Sequence, residues 1–160
     1  MEQFKTENYK LRKSSTFTQE GAEKLVLSSL LIRDIECYQA YENQKSYDLI
    51  AVSKNGKKIA KIEVKSRQNN HARKITNSNF MHKKPPFPDF YVSVFIKSFR
   101  ENQKVSDNEL DVEMLVLPKN IVHSKKHTHI GKKGSYFYPN KLKDIDKYLN
   151  NFELITDFLK

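Results

Sequence analysis

Apolar residues recur in the first half of the chain with two different periods. Between Thr16 and about Arg33, the residues Ala22, Val26, Leu27, Leu30 and Leu31 share one arc at helical spacing, and Thr16 and Gln19 have capping-box spacing. That pattern predicts a helix. The stretch "ECYQAYEN" alternates loosely and is rich in strand formers, so a first strand is expected near Glu36 to Tyr41. "DLIAV", the turn "SKNGKK" and "KIAKIEVK" follow as a hairpin, with Asn55-Gly56 offering the positive φ angles of a tight turn.

The remainder is read more coarsely. "SRQNNHARKITNSN" has no apolar period and is expected as a loop or a short irregular helix, and the prolines of "KKPPFPD" interrupt regular structure. "FYVSVFI" and "DVEMLVL" read as two strands separated by a charged loop, "KSFRENQKVSDNE". Asn140 is placed to cap a last helix carrying Leu142, Ile145, Tyr148 and Leu149 on one face. The N-terminal dozen residues read as a loose basic arm. Repeats, linkers and low-complexity tracts are absent. These elements make an α/β fold with a central mixed sheet of four or five strands flanked by the first and last helices.

Within that frame, several polar residues sit where burial is expected. On "KIAKIEVK", period two puts Ala60, Ile62 and Val64 on one face and Ile59, Lys61, Glu63 and Lys65 on the other. Glu63 and Lys65 are therefore side by side, and Asp48, at the head of the paired strand, can converge on them across the hairpin. Two carboxylates with the Val64 carbonyl make a hard oxygen site suited to Mg²⁺, with Mn²⁺ as a substitute. A neighbouring ammonium, Lys65, could then serve the water or the phosphate it attacks. The bland alternative is a surface ion pair worth under about 1 kcal/mol, against which stands Asp48, an acid opening an apolar run. Glu23 falls inside the apolar arc of the first helix. Either a cation meets it there, or the helix N-terminus and water stabilise it.

Length and charge narrow the picture. A chain of 160 residues supports one domain with a real core, and its ten Phe and eight Tyr argue against wholesale disorder. No run approaches the roughly 18 apolar residues of a membrane span, and "MEQFKTENYK" lacks a signal-peptide core, so a cytoplasmic location is expected. One cysteine, Cys37, excludes an internal disulfide and a Cys-based zinc site. The net charge is +10, and the excess is concentrated: Ser53 to Lys84 holds ten basic residues and one acid, and Lys119 to Lys133 holds five lysines, three histidines and no acid. Such segments attract polyanions by counterion release. Lys57, Lys58, Arg67, His71, Arg73 and Lys74 are the expected phosphate contacts. His123, His127 and His129 lack a fourth zinc ligand and read as solvated or phosphate-facing. Asp89 reads as a turn residue before a buried strand.

Asp48, a gap of 14 residues and then Glu63-Val64-Lys65, with Glu23 on a preceding helix and an order of helix, three strands, connection and strand, resembles the PD-(D/E)XK nuclease superfamily. The resemblance covers about Thr16 to Leu117, leaving 118–160 as a C-terminal extension of a single domain, 1–160. Tyr47 stands where the motif is named for proline. What the resemblance implies is a restriction-endonuclease-like core and a Mg²⁺-dependent endonuclease acting on double-stranded or branched DNA. Asp48 and Glu63 are then metal ligands, Lys65 is the catalytic lysine, and Glu23 is the helix carboxylate that completes the site through water. Two other readings stand beside it: an inactive nucleic-acid-binding relative, and a basic RNA-binding protein with no metal site. Cutting both strands of a duplex would call for a homodimer, whose contact is expected on "FYVSVFI" and "NNFELITDFLK".

Overall fold

A computed structural model describes residues 14–41, 46–69, 80–81, 86–101, 104–124, 128–131, 134–137, 139 and 142–160. Helix α1, Ser14–Leu31, buries Ala22, Val26 and Leu30 completely. This stripe is narrower than the expected arc, since Leu31 is half exposed. The helix ends without glycine. Asp34 takes φ 57, Ile35 N–H donates to Leu30 C=O and Asp34 N–H to Leu31 C=O, which is the paired bonding of a Schellman motif. Ile35 and Leu30 are both buried, so the hydrophobic contact of that motif offsets the strain of a non-glycine residue in the left-handed region.

The chain then enters a five-stranded mixed sheet. Its strands are β1 (Glu36–Gln39), β2 (Leu49–Val52), β3 (Ile59–Asn69), β5 (Phe90–Glu101) and β6 (Lys104–Pro118), in the order β1-β2-β3-β5-β6. Only β3 and β5 pair in parallel. The β2–β3 ladder closes at Val52↔Ile59, so the connection is a six-residue loop rather than a two-residue turn. Gly56 alone in it has positive φ (69), while the Asn55 carboxamide oxygen accepts from Lys57 N–H and Ser53 Oγ–H.

Both faces of the sheet are covered. Leu49, Ala51, Ala60, Ile62, Val64, Val92, Val94 and Val116 pack under α1 and the C-terminal helix α3, Glu153–Leu159. Tyr91, Phe95, Leu115 and Leu117 face the other way, onto Val122, Phe137 and Leu142. Val122 lies in a short helix, α2 (Lys119–Val122). Phe137 belongs to a second, three-stranded sheet of β4 (Phe80–Met81), β7 (Thr128–Gly131) and β8 (Gly134–Phe137), in the order β4-β8-β7. Strands buried on both sides read as continuous apolar runs, which explains "FYVSVFI". Most of its apolar residues fill the chain's own core, as do Phe152, Ile155 and Leu159, while Phe158 of the expected contact stays exposed.

Three expectations on element boundaries fail. "SRQN" continues β3, paired with Val94 to Lys97, rather than opening a loop. "KSFRENQKVSDNE" largely forms the far ends of β5 and β6, where Lys97 faces Asp111 and Glu101 faces Lys104 in the ladder. A polar ladder beyond the core shows no apolar alternation, so hydropathy misses it. The expected helix around Leu142 to Leu149 is a 3-10 turn, Ile145–Tyr148, followed by a bridge from Leu149 to Leu115 on the open edge of β6. Asn150, at φ 51, brackets Met114 by donating its N–H to Met114 C=O and accepting Met114 N–H on Oδ1. Leu142, Ile145, Tyr148 and Leu149 do cluster together, but by wrapping onto a strand edge. Asn140 lies outside the described residues.

Phe137 is fully buried between the two sheets. Phe137→Ala is expected to cost about 3–5 kcal/mol of stability, measured as a lowered urea midpoint with the circular dichroism of the folded state retained.

Candidate active site

The site arises where β3 outlasts β2. The β2–β3 ladder reaches Leu49↔Ile62 and Asp48 N–H still donates to Ile62 C=O at 2.8 Å, but β2 supplies no strand partner further on. In an extended strand the main-chain groups of alternate residues point to the same side, so those of Val64 and Ser66 face this vacated edge. Side chains meet them. Asp48 Oδ2 accepts Val64 N–H at 2.7 Å. Gln19, from α1, donates through Nε2 to Val64 C=O at 3.0 Å and accepts Ser66 N–H at 3.2 Å and Ser66 Oγ–H at 2.9 Å on Oε1. The same Nε2 donates to Glu23 Oε1 at 2.9 Å.

Glu63 and Lys65 lie on the opposite face of β3 from Val64 and form an ion pair. The Glu63 side chain is 2% exposed and that of Lys65 37%, so the carboxylate is anchored in the interior while the ammonium reaches solvent. Asp48 occupies the rung next to Leu49↔Ile62, across from Glu63. Burial, helped by the charges of Glu63 and Glu23 and opposed by the Val64 N–H and the Lys65 ammonium, pushes its carboxyl up to about 6. A cleft of about 440 Å³ opens beside Asp48, with Glu20, Glu23, Tyr41 and Tyr47 in its walls. A second cleft of about 480 Å³, between Arg33, Ser53 and Leu159, sits at the far end of β2 and brings no pair of acids together.

The structure thus brings Asp48 and Glu23 to one cleft, with Asp48 bonded to Val64, and sets Glu63 and Lys65 at the same level on the opposite face of β3. No three His, Cys, Asp or Glu side chains among the described residues stand close enough to hold an ion by themselves. The donor set is two carboxylates and a carbonyl, with Glu23 set back. Such hard oxygens, and a carboxylate whose ionisation is held back by burial and by its acidic neighbours, fit a small divalent cation.

Other sequence-predicted residues fall elsewhere. Lys57 and Lys58 are exposed in the β2–β3 loop, five or six residues back from Glu63 and so about 16–20 Å along the strand. Arg67 is on β3 two residues beyond Lys65, in register with Phe95. His71, Arg73 and Lys74 lie outside the described residues, as does His127. His123 is half-buried, with Nε2 2.7 Å from the Tyr91 hydroxyl and its ring edge-on to Phe87 at 4.4 Å. Tyr91 pairs with Glu63 in the β3–β5 ladder, and burial together with the Glu63 charge raises its phenol pKa. Asp89 precedes a buried strand as expected, and also clamps it, accepting Lys61 N–H on Oδ2 at 2.9 Å and donating its own N–H to Lys61 C=O. Gln19 was legible only as a capping residue; its spacing of four from Glu23 is the signal that pointed here.

The fold is similar to that of a bacterial homing endonuclease of known structure, with a TM-score of 0.55 and 15% identity over 90% of this chain and 94% of that one. At that identity the likeness is one of fold. No protein-family model matches the chain, and no curated protein matches it. No helix among the described residues is long and apolar enough to cross a membrane.

A folded-state pKa of about 6 for Asp48 lies above its unfolded value of 3.8. The fold therefore favours the protonated form, and the metal-free protein should lose stability as pH rises from about 4 through about 6. Asp48→Asn retains an oxygen for Val64 N–H and removes the charge. It is expected to raise the melting temperature of the metal-free protein by about 2–4 °C near neutral pH, and to leave it unchanged near pH 4. An equal effect at both pH values would show that charge is not the cause.

Proposed function

We propose that this protein is a divalent-metal-dependent endonuclease of the PD-(D/E)XK type that hydrolyses phosphodiester bonds in DNA. The observation that carries the reading is Asp48 held on the Val64 N–H, one rung across from buried Glu63 and its ion-pair partner Lys65, where β3 runs past the end of β2. The likeness of fold to a homing endonuclease supports it. So does the basic segment that surrounds the site in sequence, Ser53 to Lys84.

In this reading Asp48, Glu63 and the Val64 carbonyl would hold Mg²⁺, or Mn²⁺ in its place. When bound, the ion supplies Lewis acidity and offsets the charge that develops as water attacks a phosphate in line. The chain's own contributions follow from its geometry. Val64 N–H fixes the Asp48 carboxylate against the strand, so its position does not depend on a flexible rotamer. Burial of Glu63 excludes water from its flank, and the ion pair with Lys65 holds one of its oxygens. The Lys65 ammonium can donate to a phosphate oxygen from where it stands, because its tip is accessible. Glu23 would orient water rather than bind the ion directly. Lys57 and Lys58, set well back from Glu63, would touch the backbone away from the scissile phosphate.

Incubation with supercoiled plasmid should give nicked or linear product with Mg²⁺ or Mn²⁺ and none in excess chelator. Asp48→Ala and Glu63→Ala are expected to abolish Mn²⁺ binding in calorimetry and to slow cleavage by about a thousandfold, equivalent to about 4 kcal/mol of lost transition-state stabilisation. Lys65→Ala should keep the ion and lose cleavage. Unchanged Mn²⁺ binding in both acidic variants would sink the site.

Affinity for duplex DNA should fall steeply with salt, with a log–log slope of about −4 to −5 if some five phosphates are contacted. The double variant Lys57→Ala, Lys58→Ala is expected to flatten that slope by about 2 while the rate at saturating DNA is preserved. A flat response in the unmodified protein would reduce the basic surface to a solubility feature.

A further inference from the structure

Gln19 uses all of its side-chain hydrogen-bonding capacity at one point. A carboxamide offers two donors and an oxygen with two lone pairs, and here the nitrogen meets Glu23 Oε1 and Val64 C=O while the oxygen meets Ser66 N–H and Ser66 Oγ–H. The direction of the amide is not arbitrary. Ser66 N–H can only donate and Val64 C=O can only accept, so the chemistry of β3 forces the oxygen towards Ser66 and the nitrogen towards Val64. A donor is thereby presented to Glu23 whatever state the carboxylate is in. Val64, between Glu63 and Lys65, is gripped by Asp48 at its N–H and by Gln19 at its carbonyl.

We infer that Gln19 is a positioning residue of the metal site, locking the Glu23 carboxylate towards the point where Asp48, Glu63 and the Val64 carbonyl meet. This rests on the metal-site reading above. Glu23 projects from a helix and has three rotatable bonds; without a fixed donor it would lose much of its orientation into solvent. With the amide pinned to β3, the helix carboxylate is registered to the active strand rather than to α1 alone. Outer residues of this kind typically change metal affinity by about 10–100-fold when removed.

The test is a double-variant cycle read by Mn²⁺ calorimetry on the full chain. Gln19→Met keeps side-chain length and removes both donors. It is expected to weaken Mn²⁺ binding by about 10–100-fold alone, and by less than about threefold in the Glu23→Ala background, since coupled residues are not additive. Ser66→Ala, which unpins one side of the amide, should act in the same direction and show the same dependence on Glu23; it carries the test alone if Gln19→Met does not fold. Equal losses with and without Glu23, or undiminished Mn²⁺ affinity in Gln19→Met, would overturn the assignment. An unmodified chain that takes up no Mn²⁺ would overturn the metal reading itself, a result visible before any variant is made.

Discussion

Everything at the candidate site depends on one backbone constraint: β3 is longer than the strand beside it. Where β2 stops, the N–H and C=O groups of Val64 and the N–H of Ser66 face no strand, and buried main-chain groups left in that state cost about 1–3 kcal/mol each. Asp48 and Gln19 take the place of the missing strand. A carboxylate is thereby drawn to the strand edge, and a helix is tied to it, at the point where Glu63 and Lys65 emerge on the opposite face. The same bonds that complete the sheet assemble the acids.

That arrangement stands against the trend of a stable interior. Glu63 is almost fully buried, and Asp48 ionises reluctantly because burial and two acidic neighbours disfavour its charge. Lys65 offsets part of this through its ion pair with Glu63. The acidic charge that remains is what the proposed metal site would draw on. The two apolar layers make the arrangement tolerable. Complete burial of Ala22, Val26, Leu30, Ile62, Val64 and Val92 on one side, and of Leu115, Leu117 and Phe137 on the other, holds β3 rigidly enough that the polar residues cannot relax away.

The second sheet and the C-terminal segment contribute to the same end. Phe137, Leu142 and Tyr148 cover the face that carries Tyr91 and Glu63, where the Tyr91 hydroxyl hydrogen-bonds His123. Asn150 and the Leu149 bridge cover the outer edge of β6 at Met114 and Leu115. An exposed edge of that length would invite pairing with other chains.

The sequence alone determined the helix over Ala22 to Leu30, the β2–β3 hairpin, the alternation that sets Glu63 and Lys65 opposite Val64, and the approach of Asp48. Each follows from local periodicity, which the chain writes down residue by residue. Tertiary structure decided what periodicity does not encode. Gln19 looks like a helix cap until β3 is laid against α1. His123 looks solvated until Phe87 and Tyr91 surround it. Leu142 to Leu149 have the spacing of a helix, yet the open edge of β6 and the left-handed turn at Asn150 draw them into a bridge. The polar ends of β5 and β6 are paired by their ladder, which leaves no apolar signal in the sequence. Backbone groups left over by unequal strands belong to no residue's pattern, and only the packed fold shows which side chains must answer them.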